Sequence, residues 1–201
     1  MKTRKNNFVK VLLAISVFVL IFSNNNVTAQ SYTENYNQAP YLGLGLGIND
    51  YGLGVGLEIP LNHKLNTYGN IGVGGWGYKM GVGLSYFPRQ APFGGSFNIG
   101  YSHALGFKDF ETELEVASSN TTQKVLLDLE PVGTINLFYT YSWTLGRTGK
   151  FSLSGGYAIP LEEDAYEVKT QNVKLSSTSK QVLEIMQPGG FILGLKFMFR
   201  I

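Results

Sequence analysis

Hydrophobic residues recur at every second position through most of the chain after residue 41. In two of the clearest segments, residues 42–48 and 191–201, large apolar residues alternate with glycine or with a smaller, mostly polar set. Successive side chains of a β-strand point to opposite faces, so this spacing gives each set its own face. A helix would spread both sets around its circumference, and each interior glycine would cost it about 1 kcal/mol. The pattern therefore predicts strands.

Eight strands are expected along the chain. They cover residues 41–48, 52–61, 66–76, 78–87, 95–108, 132–146, 150–162 and 190–201. Most exceed the about five or six residues usual in soluble proteins, and they approach the about 9–11 that a tilted strand needs to cross a bilayer. In the third strand, Ile71, Val73 and Trp76 do not share one face, which predicts a β-bulge near Gly74 and Gly75.

Each predicted strand has one large apolar face and one small or polar face. A soluble sandwich or lipocalin would bury the large faces and leave a surface of Gly, Ser and Thr. Only 15% of the residues are charged, whereas soluble surfaces carry about 25–35%. A membrane barrel turns its apolar faces to lipid and its polar faces to the lumen. The sequence favours an all-β chain that forms an eight-stranded antiparallel up-and-down transmembrane β-barrel.

The connections between the strands are of two lengths. The short connections are residues 62–65, 88–94 and 147–149, and the long ones are residues 109–131 and 163–189. The long connections are also acidic, since 11 of the 14 acidic residues lie in 109–130 and 162–184. Outer-membrane barrels have short periplasmic turns and longer external loops. With both termini on the periplasmic side, the two long connections are external.

The first 29 residues have the order of a secretory signal peptide. Four basic residues lie within residues 1–10, residues 11–22 are uncharged and mostly apolar, and Ala29 precedes the expected cleavage site. Twelve helical residues span roughly 18 Å, too short for a hydrocarbon core of about 30 Å, although an uncleaved anchor is the alternative. Residues 30–40 are polar and are expected to form a flexible leader, and residues 41–201 are expected to form the barrel domain. Removal of the signal peptide leaves 12 basic and 14 acidic residues, a net charge of −2.

Composition excludes several classes of function. The chain has no cysteine, which excludes disulfides, thiolate metal sites and cysteine nucleophiles. The whole-chain net charge is only +2, which is too small for the basic patch that a nucleic-acid-binding protein needs. No cofactor and no metal ion are implied.

The terminal segment, Gly194 to Ile201, ends in alternating apolar residues, Phe197, Phe199 and Ile201. With this segment, residues 41–201 resemble the small eight-stranded outer-membrane β-barrel family of Gram-negative bacteria, the OmpA/OmpX-like barrels. The resemblance implies a place in the cell outer membrane, contact with its lipid, and insertion by the assembly machinery that reads the last strand. That family usually ends in Phe, whereas this chain ends in Ile201.

Three charged residues are assigned to inward faces, namely Glu58, Lys196 and Arg200. Glu58 is expected to reach Lys196 across the lumen, either as a structural ion pair or as part of a proton or ion pathway. The interior of an eight-stranded barrel is about wide enough to be filled by side chains. The glycine-rich inner faces of the first four strands leave open a cavity for a small ligand.

Three functions remain open. The first is a non-enzymatic structural or interaction module, whose external segments 109–131 and 163–189 contact a surface or membrane protein. Residues 113–129 are expected to extend as a hairpin, and residues 180–187 as a short helix. The second is a narrow channel or small-ligand transporter. The third is a lipid-modifying enzyme built on Ser102 and His103, although adjacent strand residues point to opposite faces.

Overall fold

A computed structural model of the protein describes residues 39–89, 91–117, 121–162, 165–170 and 173–201. The predicted signal peptide and most of the leader lie outside these residues. Over the described part, the elements are β1 Tyr41–Ile48, β2 Gly52–Pro60, β3 Leu65–Gly74, β4 Gly77–Tyr86, β5 Gly94–Ala104, β6 Phe107–Val116, β7 Thr121–Leu129, β8 Val132–Leu145, β9 Gly149–Pro160, β10 Tyr166–Val168, α1 Ser177–Met186 and β11 Gly190–Arg200. None of the helices in this part has the length and apolarity that a membrane crossing requires.

Eight of the strands form a closed antiparallel barrel in the order β1-β2-β3-β4-β5-β8-β9-β11, with β11 returning to β1. The closing pair is in continuous register, from Tyr41 opposite Arg200 to Ile48 opposite Leu193. Closure gives every barrel strand two hydrogen-bonded neighbours, so the barrel has no free edge. The predicted all-β fold and eight-stranded closed barrel are confirmed.

Alternation along the strands sorts the side chains into an outward wall and an interior. The outward wall is the set of outward-facing side chains of the eight barrel strands, and it is mainly apolar and exposed, as at Leu44 (65% exposed) and Phe199 (55%). The interior is mostly small and polar, as at Asn66 and Ser152, which are fully buried. The barrel therefore reverses the usual arrangement of a soluble protein, in which apolar side chains are buried.

The predicted bulge near Gly74 and Gly75 is wrong. β3 and β4 pair without a register shift up to Gly74 opposite Gly77, and Gly75 and Trp76 form the turn between them. Trp76 breaks the parity of β3 because it belongs to this turn. Its ring is buried, and its indole N–H donates a 2.8 Å hydrogen bond to the Glu130 carbonyl oxygen.

β6 and β7 form the expected hairpin, but this hairpin leaves the barrel sheet. It belongs to a separate three-stranded sheet in the order β10-β7-β6. The break falls at Gly106, whose φ is +72° and whose Cβ, if present, would lie 2.0 Å from the Leu129 carbonyl oxygen. Only glycine fits such a turn. We call β6, β7, β10, α1 and their described connections the extension; the barrel end next to it is the extension end, and the opposite end is the termini end.

The extension has a hydrophobic core of its own. Buried side chains from β6, β7 and α1 pack with residues from the barrel rim; the cluster comprises Trp76, Ala104, Leu114, Val116, Val125, Leu127, Leu129, Val132, Ala165, Leu175 and Leu183. The expected helix is present and begins at Ser177, because the Ser176 hydroxyl accepts a hydrogen bond from the Ser179 N–H and caps it. The long connections are thus folded structure tied to the barrel.

Leu127→Ala should destabilise the extension by about 2–5 kcal/mol, because it removes a fully buried side chain from this core and leaves a cavity. Leu126→Ala is the matched control, since Leu126 is the neighbouring, half-buried leucine on the opposite face of β7. Hydrogen exchange of the β6 and β7 amides measures the difference. Equal protection in the two variants would contradict a packed extension core.

Candidate functional site

The barrel interior contains the two acidic groups Asp50 and Glu58 and the three basic groups Lys79, Lys150 and Lys196. Glu58 pairs with Lys150, whereas the Lys196 ammonium lies 3.3 Å from the Asp50 carboxylate. The expected Glu58–Lys196 contact is therefore replaced by two other ion pairs.

The strand register explains this exchange of partners. The strand pairing puts each residue level with a position on β11. Glu58 is level with Arg200, through Tyr41 of β1. Lys150 of β9 is level with Met198. Lys196 lies one inward-facing position further toward the extension end. Lys150 is thus closer in level to Glu58 than Lys196 is, and its long side chain reaches across the lumen.

Three of these five charged residues, Lys79, Lys150 and Asp50, were not predicted to face inward. Lys79 faces inward between outward-facing Tyr78 and Met80, so the alternation of β4 contained the signal, and its ammonium donates a 2.8 Å hydrogen bond to the Asn49 carbonyl oxygen. Lys150 is the first residue of the predicted strand 150–162, where the alternation has a neighbour on one side only. Asp50 lies in the β1–β2 turn, where no alternation indicates direction. Arg200, which had been expected inside, is exposed at the end of β11.

Aromatic rings occupy the space that the interior glycines leave. A Cβ at Gly45 would lie 1.6 Å from the Tyr51 hydroxyl oxygen, and Cβ atoms at Gly83 and Gly100 would lie 2.4 and 2.2 Å from that of Tyr68. The glycines are required because these rings pack directly on the wall. The cavity considered from the sequence is consequently filled by tyrosine.

The Lys196 ammonium lies among these rings. It is 5.1 Å from the ring centre of Tyr51, 5.6 Å from Tyr68 and 5.7 Å from Phe138, which are cation–π distances. Below it, toward Phe87, an interior cavity of about 10 Å³ remains. That volume holds about one water molecule.

The opposite side of the interior, on β5, β8 and β9, is a ladder of hydroxyl and amide side chains. The hydroxyl oxygens of Ser142 and Ser152 are 2.8 Å apart, and those of Thr140 and Ser154 are 2.9 Å apart. Such pairs satisfy buried polar groups without charge. This half of the lumen is thus closed by short side chains that bind one another.

Ser102 and His103 lie on opposite sides of the barrel wall. The Ser102 hydroxyl is inside, 2.7 Å from that of Thr134, and it accepts a hydrogen bond from the Asn136 amide. His103 faces outward, where its Nδ1 is 3.3 Å from the Tyr101 hydroxyl oxygen. The imidazole therefore cannot take a proton from this serine as an adjacent general base would.

The extension carries most of the acidic groups at the surface. Cross-strand pairing puts Glu111, Glu113 and Glu115 on the solvent-facing side of the β6–β7 sheet, together with Asp128. The pKa of Asp128 is held below its usual value by a hydrogen bond from the Asp109 N–H and by the Lys169 ammonium 2.8 Å away. Asp128 thus remains negatively charged in mildly acidic solution.

No family model and no curated protein matches the chain. In the described residues, no group of three or more potential metal ligands is close enough to hold an ion. Phe197 and Phe199, expected in the insertion signal, face outward on β11, and Ile201 is exposed just after it.

We expect Glu58→Gln to lower the free energy of unfolding by about 3–5 kcal/mol, because it leaves the Lys150 ammonium, 1% exposed, without its counter-ion. Urea unfolding followed by tryptophan fluorescence measures this change. The control is Glu111→Gln, which breaks an exposed pair with Lys124 and should cost less than about 1 kcal/mol. The double variant Glu58→Leu/Lys150→Met should recover most of the loss. Equal effects of the two glutamine variants would contradict the role given to the interior pair.

Proposed function

We propose that this protein is exported, with cleavage after Ala29, and spans the cell outer membrane as a β-barrel with both termini in the periplasm. It acts as a non-enzymatic structural and interaction module whose extension, outside the cell, binds a partner. The observation that carries the proposal is the reversed barrel, with charges inside and an apolar outward wall. The proposal agrees with the resemblance of residues 41–201 to small outer-membrane barrels.

The chemistry of the outward wall supports a lipid environment. The outward-facing positions of the described barrel strands hold no Asp, Glu, Lys or Arg. Glu58, Lys79, Lys150 and Lys196 face inward, and Arg200 is exposed at the very end of β11. A soluble monomer seldom exposes a continuous apolar patch of more than a few hundred Å². A bilayer core favours such a wall, because lipid tails solvate it without cost.

Aromatic side chains form a band near the termini end of the outward wall. Successive ring centres are 4.7 to 5.5 Å apart along Tyr141, Trp143, Phe151 and Phe197, which crosses three adjacent strands. Amphipathic aromatic rings concentrate at membrane–water interfaces. The band supports an interface at this end, on the periplasmic side in the proposed orientation.

The filled lumen and the separately folded extension favour an interaction role over a transport role. The lumen is filled by ion pairs, rings and hydroxyl ladders, whereas the extension has its own core and an acidic solvent-facing side. The edge of β6 opposite β7 is covered near its end, where the Ser176 N–H donates to the Glu115 carbonyl oxygen. Toward its beginning, the strand offers an edge for β-augmentation by a partner that carries basic residues.

Replacement of residues 107–129 by a short Gly/Ser link should leave the barrel folded, because Ala104 and Val132 are already paired neighbours of β5 and β8. The native mass of the protein, extracted from outer membranes in mild detergent, should exceed that of one barrel and fall to it in the deletion variant. The variant Glu111→Gln/Glu113→Gln should lower partner binding. In the control Glu184→Gln, which removes an exposed carboxylate of α1 outside the β6–β7 sheet, binding should persist.

An unchanged native mass after deletion would contradict the interaction role. Absence of the full chain from the outer-membrane fraction would contradict the proposed location. Loss of the folded barrel on deletion would contradict the division of roles between barrel and extension.

The filled lumen predicts that the full chain in planar bilayers gives no steady single-channel conductance. Glu58→Gln should not create one, because Tyr51, Tyr68 and Phe138 still occupy the lumen. A reproducible conductance that changes in Glu58→Gln would favour the channel hypothesis instead.

A further inference from the structure

The outward wall has a groove across β1 to β5. The groove has a volume of about 570 Å³ and is lined almost wholly by apolar atoms, among them side chains of Val55, Ile71, Met80 and Val82. It runs from the β1 side to β5, four strand spacings or roughly 19 Å along the sheet.

A missing side chain at Gly69 creates the groove. Gly69 faces outward between Leu57 of β2 and Val82 of β4. A Cβ added there would have only the Gly81 carbonyl oxygen nearby, at 3.9 Å, so the position is open. Strand glycine costs stability and packs nothing, and no close backbone approach requires it here. The notch therefore has room for a ligand.

Two side chains with polar atoms lie at the β5 end of the groove. Tyr101 and His103 line it, with their rings stacked at 6.4 Å and the tyrosine hydroxyl oxygen 3.3 Å from Nδ1 of the imidazole. When the hydroxyl donates to Nδ1, the neutral ring carries its proton on Nε2 and presents an N–H donor. Among outward-facing positions of the described barrel strands, His103 is also the one basic side chain.

We propose that this groove binds one phospholipid molecule. An acyl chain lies across Gly69, and the phosphate accepts a hydrogen bond from the His103 imidazole near the extension end. The proposal rests on the proposed function, which puts the outward wall in a bilayer. Apolar walls complement the acyl chain, and the N–H donor of the imidazole complements the phosphate oxygens. The flat face of a second barrel would bridge the notch without filling it.

Two glycine substitutions separate the groove from the rest of the wall. Gly69→Leu fills the notch. Gly155→Leu is the matched control, because Gly155 also faces outward, between Tyr139 and Leu193, and has nothing within 4 Å of its Cβ position. Neither position has a positive φ, so both variants are expected to fold. His103→Leu removes the polar contact and keeps an apolar side chain.

The experiment titrates the full chain in detergent with phosphatidylglycerol, and separately with diacylglycerol, which lacks the phosphate. Native mass spectrometry counts the bound lipid. The wild-type protein and Gly155→Leu should bind one phosphatidylglycerol with equal affinity, and Gly69→Leu should bind it at least about tenfold more weakly. His103→Leu should lower the affinity for phosphatidylglycerol about tenfold, to the affinity for diacylglycerol. It should leave the affinity for diacylglycerol unchanged.

Equal phosphatidylglycerol binding by the wild-type protein and Gly69→Leu would overturn the groove proposal. So would equal wild-type affinities for the two lipids. Either result, with the full chain recovered in the outer-membrane fraction, would leave the proposed function intact. Recovery of the full chain only in the soluble fraction would overturn both proposals.

Discussion

Closing eight strands into a barrel leaves an interior only about as wide as the side chains that must fill it. In this chain, large interior side chains lie against glycines of the wall, so that the side chains fit the limited interior volume. Tyr51 lies against Gly45, and Tyr68 lies against Gly83 and Gly100. The glycine-rich strands and the buried tyrosines are therefore two halves of one packing solution. A larger residue at any of these glycines would collide with a ring.

The same limit determines how the buried charges are held. Water has almost no room in the lumen, so each ammonium needs protein groups for solvation. Lys150 has Glu58 and the Tyr41 ring, whereas Lys196 has Asp50 and a cluster of aromatic rings. These charged groups and rings already bind one another. Since the interior is occupied in this way, specific binding has to use the outward wall or the extension.

Much of the architecture could be predicted from the sequence, because a period of two survives wherever one face is apolar. Prediction failed where the chain leaves regular alternation. Trp76 breaks parity because it is a turn residue, and Gly106 turns the chain out of the barrel sheet although the apolar pattern continues beyond it. The partner of Glu58 depends on the stagger between β2 and β9, which no local pattern contains. The groove at Gly69 is formed by residues of five adjacent strands, so it could not be predicted from any one strand.

The extension is coupled to the barrel through shared packing. Trp76 of the β3–β4 turn and Val132 at the start of β8 both belong to the core of the extension. On the other side of the rim, the Asn49 side-chain amide donates to the Gly189 and Phe191 carbonyl oxygens and joins the β1–β2 turn to β11. A packed attachment together with a hydrogen-bonded one resists hinge motion better than a single flexible linker. A partner that bound the extension, as proposed, would therefore be held in a defined position next to the barrel rim, on the side where His103 lies.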